Sequence, residues 1–388
     1  MKVYIYISLI IATIAIVIGC KTNTEQPVPM QATMISNYSA TSKLFDYVWD
    51  PIAFSAPKNK AKIKQYLSIL QNNLHSSNLI KELPKNDPAM SITLEWFRDL
   101  IDDASTRFNS GNTDYASWKL RSMTSACIAC HSRSETQKNF IGDSAMPSGN
   151  SVEYKFAAAQ FLLATRQFEK ASNGFYQLAS SLLELESGRN YALEVIKEWL
   201  VVEIRVLDRP AVSKLNLEKL LNTISSEDPR MALLFENWIN DLGLLAKSGE
   251  IKPGEEVDRA KELLKDTMTD SEFSDDEHLV KTLKASAILH SYLDSDSASK
   301  NNKSATFLLA IAYQHIPIDS LSIYKELYLE KCIRLFPGTD EAKQSFIIYK
   351  ELIESENTGS GGLHLEPDQL DKLKLLKEIA NTPKVVKS

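Results

Sequence analysis

The chain has 388 residues, of which 44% are hydrophobic and 24% are charged, and its net charge is −6. This composition is typical of a soluble globular body with room for two or three domains, and it gives no indication of a nucleic-acid partner. Glycine is scarce and strand-like alternation is almost absent, so we predict an all-α fold. No nucleophile triad, paired-carboxylate signature, phosphate loop or H-E-x-x-H motif occurs, and we therefore do not expect an enzyme.

Residues 1–19 are predicted to be a lipoprotein signal peptide. Lys2 precedes a largely apolar run, Val3 to Ile18, that has the length of a signal segment and is short for a bilayer span. The run ends at Cys20 in a sequence that resembles a lipobox, so we expect cleavage before Cys20 and lipidation of its thiol. An uncleaved N-terminal anchor is the alternative. In both cases the body is exported to the cell envelope and faces the periplasm, with the outer membrane favoured.

A polar tether, residues 20–29, leads into a series of amphipathic segments with apolar residues at helical spacing. The predicted helices span residues 30–49, 58–75 and 87–109, and a fourth begins near residue 114. Helices of this length joined by short loops form an antiparallel four-helix bundle. We therefore predict a four-helix-bundle domain over residues 30–145.

The predicted fourth helix ends in Cys127-Ile128-Ala129-Cys130-His131, which has the C-x-x-C-H spacing of covalent haem attachment. The two thiols can bond to the vinyl groups of one porphyrin, and His131 can ligate the iron as the proximal ligand. A redox dithiol or half of a zinc site would share the C-x-x-C spacing, but no second pair and no βαβ pattern accompanies it. Export supports the haem interpretation, because bacteria attach haem covalently outside the cytoplasmic membrane. We predict one covalent haem c.

Residues 30 to about 140 resemble cytochrome c prime and its low-spin relatives, whose bundles carry C-x-x-C-H late in the last helix. The resemblance implies that the first helix lines the distal face of the haem with an apolar side chain or a methionine. Met34 is therefore the expected sixth ligand, ahead of Met30 one turn earlier. His75 is a rival ligand, and Met123 is expected to pack beside the ring.

Two arginines flank the motif and are candidates to bind a haem propionate. A guanidinium suits bidentate capture of a carboxylate. Arg133 is favoured over Arg121, because the resemblance to the prime cytochromes implies a basic residue two positions after the histidine ligand. Solvated helix charges are the alternative interpretation. Cys332 has no partner and is expected to be a buried apolar residue. Four further histidines lie outside the bundle and are interpreted as ordinary surface or core residues: His278, His290, His315 and His364.

Residues 153–356 are predicted to form an irregular α-solenoid. Tyr154 to Ala171, with Phe175 and Ala179, resembles a tetratricopeptide-type helix pair, in which small residues allow close approach and aromatic residues fill the groove. A second candidate pair begins at Phe307, and ordinary helix packing is the alternative. Residues 357–388 are predicted to be a Gly/Ser hinge followed by a helix over 367–380.

Together these features predict a membrane-anchored monohaem c-type cytochrome for electron transfer in the cell envelope. The helical repeat domain would hold a protein redox or scaffold partner. The ensemble from Ala164-Thr-Arg-Gln-Phe to the tail Gly359-Ser-Gly-Gly-Leu-His-Leu-Glu-Pro also resembles a group of bacterial cytochrome c lipoproteins of unassigned role, and this resemblance implies no activity. Two alternatives remain: a five-coordinate haem that senses or scavenges nitric oxide or carbon monoxide, and an assembly scaffold in which the haem is structural.

Overall fold

The computed structural model describes residues 30–76, 79, 88–133, 149–224, 228–268, 276–295 and 301–382. The predicted signal peptide, Cys20 and the tether lie outside these residues. Within the described part of the chain, helices account for all regular structure except one very short hairpin, which confirms the predicted all-α class. No helix in these ranges is both long and apolar enough to cross a bilayer.

Residues 30–121 form the part that we call the N-terminal unit. Its helices are α1 (Met30–Val48), α2 (Pro51–Ser55), α3 (Lys60–Leu74), α4 (Pro88–Asn109) and α5 (Thr113–Arg121). In α3 the buried residues recur every three or four positions, so one face of the helix enters the core. Asp50-Pro51 starts α2, because the Asp50 carboxylate accepts a hydrogen bond from the Ala53 amide at 3.0 Å and Pro51 occupies the first turn.

The helices of the N-terminal unit share one core. Helix α3 packs between α1 and α4, and α5 packs on α4. Leu44, Ile63 and Ile101 are completely buried in this core, and the rings of Phe54 and Phe108 meet edge to face with centroids 5.1 Å apart. These helices therefore form a single packed body.

The helix that carries the C-x-x-C-H motif is separate from the helix before it. The predicted fourth helix is interrupted at Ser122, so that α5 ends at Arg121 and α6 spans Met123–His131. Met123 lies in the core of the N-terminal unit, whereas Ile128 and Ala129 lie in the core of the following helices. Helix α6 is therefore shared between two cores.

Residues 149–382 form the part that we call the C-terminal unit. Its helices are α7 (Val152–Ala164), α8 (Phe168–Leu183), α9 (Arg189–Leu200), α10 (Pro210–Leu221), α11 (Pro229–Lys247), α12 (Glu256–Leu263), α13 (Leu279–Asp294), α14 (Asn302–Gln314), α15 (Tyr324–Leu335), α16 (Asp340–Glu356) and α17 (Pro367–Ala380). A π-helical segment, Val201–Val206, continues α9. Helices α7 and α8 approach closely at Gly174, where an added Cβ would lie 3.4 Å from the Ala159 Cβ. Small residues thus allow the predicted helix pair to pack.

The predicted Gly/Ser hinge forms a defined turn in the structure. Strands β1 (Thr358–Gly359) and β2 (Gly362–Leu363) pair antiparallel, and Gly362 has a φ of 94°, which glycine adopts without strain. The turn directs α17 onto α15 and α16, where Leu373 and Leu376 are buried. The helix predicted over 367–380 is confirmed at both ends.

Candidate haem site

One face of α6 borders a cavity of about 90 Å³ that is partly open to solvent. Both units contribute to its walls. The lining includes Met34, Tyr38 and Thr41 of α1, Met90, Thr93, Leu94 and Phe97 of α4, Cys127, Cys130 and His131 of α6, and Phe161, Ala164 and Thr165 at the end of α7. Most of this lining is apolar with a few polar groups, which is the usual character of a cofactor pocket.

The two motif thiols lie together on the α6 wall. Both are partly buried, and the Cys130 Sγ is 3.3 Å from the Sδ of Met90. Burial and, to a smaller extent, the neighbouring Cys130 together raise the pKa of Cys127 to about 12, and burial raises the pKa of Cys130 to about 11. Both thiols are therefore protonated at neutral pH. A reactive dithiol instead requires a lowered pKa, so this environment does not favour disulfide exchange chemistry.

His131 is held by the backbone of the C-terminal unit. Its Nδ1 is 2.5 Å from the carbonyl oxygen of Ala164, the last residue of α7. A carbonyl can only accept, so Nδ1 carries the proton and Nε2 keeps its lone pair. Among the described residues, none forms a hydrogen bond with Nε2. A metal-ligating histidine usually has this second contact, which fixes its tautomer and its ring orientation.

The electrostatic environment keeps the His131 imidazole neutral. Burial lowers its pKa to about 3, the positive charge of Arg166 acts in the same direction, and the hydrogen bond to Ala164 opposes them. The neutral ring is the form that binds a metal. His131 can therefore bind a metal without first losing a proton.

Arg166 is the cation beside the site, and sequence reasoning did not single it out. It follows the cavity residue Thr165, and its charge lowers the pKa of both Cys130 and His131. Its φ of 62° places it in the left-handed region, which is uncommon for a residue with a side chain. No local sequence signal marks such a residue, because its position depends on the fold of α7 and α8 against α6.

The two arginines predicted to bind a propionate do not line the cavity. The Arg121 guanidinium lies over the Trp49 ring, 4.8 Å from its centroid, because the break at Ser122 separates it from α6. Arg133 is only 3% exposed, and its Nε donates to the Nδ1 of His290 at 3.1 Å. The end of α6 therefore turns Arg133 into the C-terminal unit and away from the cavity.

The residues expected to ligate the iron or to pack beside the haem do not all line the cavity. Met34 lines the cavity, whereas Met30 packs against the core of the N-terminal unit. Met123 is buried in that core and is not part of the cavity lining. The exposed His75 pairs with Asp102 at 2.8 Å, outside the cavity. Met90, in the first turn of α4, also lines the cavity, and sequence reasoning did not name it as a candidate ligand.

The remaining histidines and Cys332 lie outside the α6 cavity. His290 is completely buried in the C-terminal unit, and His364 is exposed near Glu366. Cys332 is completely buried and packs with Phe307 and Ile311. Its burial agrees with the interpretation as an apolar core residue.

The donor set of the cavity fits a haem attached by thioether bonds. It offers two thiols one helical turn apart, a neutral imidazole with an available Nε2, and apolar walls that suit a flat macrocycle. Comparison with known proteins supplies no relative: no protein-family model, curated protein or solved structure matches this chain.

Proposed function

We propose that the chain is a membrane-anchored monohaem c-type cytochrome that transfers single electrons in the cell envelope. Cys127 and Cys130 would hold one haem c by thioether bonds, and His131 would ligate its iron. The observation that carries the proposal is the hydrogen bond from the His131 Nδ1 to Ala164, on the same wall as both thiols. The bound haem would supply one-electron redox chemistry.

The other residues of the cavity would orient the group and exclude water. Apolar side chains such as Leu94, Phe97 and Phe161 line the space beside the motif. Met34 is the proposed sixth ligand, and a thioether there would raise the reduction potential, which suits an electron carrier. Met90 is the rival for this position. The Arg166 guanidinium would offset the negative charge of a propionate.

The fold types proposed for the two units are those that the sequence resemblances imply. The N-terminal unit would be a bundle of the cytochrome c prime type, and the C-terminal unit a tetratricopeptide-like solenoid that holds a protein redox or scaffold partner. Lipidation at Cys20 would attach the protein to a membrane, with the body in the periplasm. Support for this part of the proposal comes from the sequence pattern alone.

Haem staining on a denaturing gel tests the proposed attachment. The protein should be expressed with export in a host that matures c-type cytochromes. Wild type and Cys332→Ala should both stain, because Cys332 is buried far along the chain. The double change Cys127→Ala and Cys130→Ala should abolish the stain. Persistent staining of the double variant would end the proposal.

A gas-binding haem is the second candidate, and the apolar lining favours it. Leu74, Leu79 and Phe97 offer no ligand atom, so a haem that faces them would remain five-coordinate. A high-spin spectrum that changes on addition of carbon monoxide would support sensing or scavenging. A low-spin spectrum that is insensitive to the gas would support electron transfer.

A further inference from the structure

The last turn of α6 has a backbone carbonyl that the helix itself does not satisfy. The Ser132 amide bonds to the carbonyl of Ile128, and the chain leaves the helix there. The carbonyls of the last turn of a helix need partners from elsewhere. The carbonyl of Ala129, between the two motif cysteines, therefore depends on the rest of the fold.

Tyr324, the first residue of α15, supplies that partner. Its hydroxyl donates to the Ala129 oxygen at 2.7 Å, and the residue is completely buried. The Thr93 Oγ1 is 3.2 Å from the same hydroxyl. Because the phenolic proton is used on Ala129, Thr93 is the donor in the second contact. One oxygen of the C-terminal unit thus joins the motif helix to the α4 wall of the cavity.

A second set of buried contacts holds the residue just beyond the motif. The Arg133 Nε donates to the His290 Nδ1, so the His290 Nε2 carries a proton and donates to the Tyr313 hydroxyl at 2.7 Å. Arg205, only 2% exposed, donates to the same hydroxyl. The Tyr313 and Tyr324 rings are 4.7 Å apart, so both sets of contacts form one buried cluster.

We propose that Tyr324 is a positioning residue of the haem site, which holds the last turn of α6 and the α4 wall at a fixed separation. This inference rests on the proposed function for its relevance to haem. Fixing α6 sets the orientation of His131, and fixing α4 sets the position of the cavity wall that carries Met90 and Thr93. The C-terminal unit would thereby act on the haem site through the position of the motif helix and of the α4 wall.

The test compares Tyr324→Phe with Tyr349→Phe in the full chain. Both changes remove one hydroxyl from a buried tyrosine of the C-terminal unit. The Tyr349 hydroxyl is 3.5 Å from Glu326 and serves as the matched control. Amide hydrogen exchange is measured over residues 127–133 in the background that lacks Cys127 and Cys130, so this readout is independent of haem. Visible spectra are measured in the haem-attaching background.

We expect Tyr324→Phe to speed exchange in the last turn of α6 by about tenfold, the effect of losing one buried hydrogen bond. Attached haem should remain at the wild-type level, while a larger high-spin fraction appears. Tyr349→Phe should change neither readout. Thr93→Val removes the hydroxyl that contacts Tyr324 and keeps the side-chain shape. It should change both readouts in the same direction by a smaller amount. It replaces Tyr324→Phe as the test variant if that variant does not fold.

Equal exchange and equal spectra in Tyr324→Phe and Tyr349→Phe would overturn the positioning role. A wild type that lacks covalent haem would instead overturn the proposed function, and the exchange comparison would still test whether Tyr324 fixes α6. The two failures are therefore distinguishable.

Discussion

The two units meet the motif helix with different kinds of contact. The N-terminal unit presents flexible apolar side chains to the cavity, among them Met34, Met90 and Phe97. The C-terminal unit presents directed hydrogen bonds, from the Ala164 carbonyl and the Tyr324 hydroxyl. Apolar packing provides space and excludes water, whereas directed bonds fix orientation. The N-terminal unit thus supplies most of the apolar lining of the cavity, and the C-terminal unit supplies the hydrogen bonds that orient the motif helix.

This difference gives the C-terminal unit a part in building the cavity and in orienting the motif helix. Sequence reasoning treated residues 153–356 as a separate solenoid, yet α7 forms part of the cavity and Ile128 of the motif lies in the core of this unit.

His131→Ala should have the largest effect on the site. The cysteines would still attach the haem, but the proximal imidazole would be lost from the whole population, so the spectrum should lose its low-spin features. Visible spectroscopy together with haem staining measures both properties. His75→Ala, which removes an exposed histidine paired with Asp102, is the control and should match wild type. A wild-type spectrum in His131→Ala would refute its role as a ligand.

Phe161→Ala should weaken the contact between the units. Phe161 is 2% exposed, and its ring is 5.0 Å from Phe45 of α1, so truncation should lower the free energy of unfolding by about 3–5 kcal/mol. Phe108→Ala, in the core of the N-terminal unit, should cost a similar amount. Denaturant unfolding measures both costs. Only Phe161→Ala should also alter the haem spectrum, and identical spectra would argue against a cavity built by both units.

Glu198 should make the C-terminal unit sensitive to pH. It is 4% exposed on α9 and accepts a hydrogen bond from Gln160 of α7 at 3.1 Å. Burial raises the pKa of Glu198 from 4.5 to about 7. Its contribution to stability is therefore complete below about pH 4.5 and is lost as the pH rises through 7, by on the order of 3 kcal/mol.

Glu198→Gln tests this sign, because the amide stays neutral at every pH. As the pH rises from 4.5 to 8, the free energy of unfolding of wild type should decrease relative to that of the variant. The exposed Glu184→Gln is the control and should follow wild type. Parallel pH profiles of wild type and Glu198→Gln would contradict the prediction.

Met34→Ala should have the smallest effect on stability, about 1 kcal/mol, because Met34 is only partly buried. Its effect on the spectrum should be clear: the iron should become high-spin and bind carbon monoxide. Met30→Ala should change little, since Met30 does not line the cavity. If Met90→Ala produces the conversion instead, the ligand is Met90.

The predictable parts of the fold are those encoded by local pattern. The apolar spacing and flanking signals gave α1 and α17 to within one residue of Met30–Val48 and Pro367–Ala380. The break at Ser122 was not predicted, because the residues on both sides keep an apolar pattern and the two helices bury them in different cores. Apolar periodicity predicts that a residue is buried, but it does not predict in which of the two cores the residue lies.

The predictable part of the site is the motif, because its donors are adjacent in sequence. The contacts that orient it come from distant residues: Ala164 is 33 positions from His131 and Tyr324 is 195 positions from Ala129. No local signal marks either contact. For the same reason Arg133 was expected at a propionate and instead bonds to His290, 157 positions away.

Peptide mapping of the purified, exported protein tests the central claim most directly. Trypsin cleaves after Arg121 and Arg133, so one peptide, residues 122–133, contains both thiols and His131. From a host that attaches haem to a control c-type cytochrome, this peptide should carry the mass and visible absorption of one haem. Recovery of the same peptide with two unmodified thiols, while the control is loaded, would contradict the account.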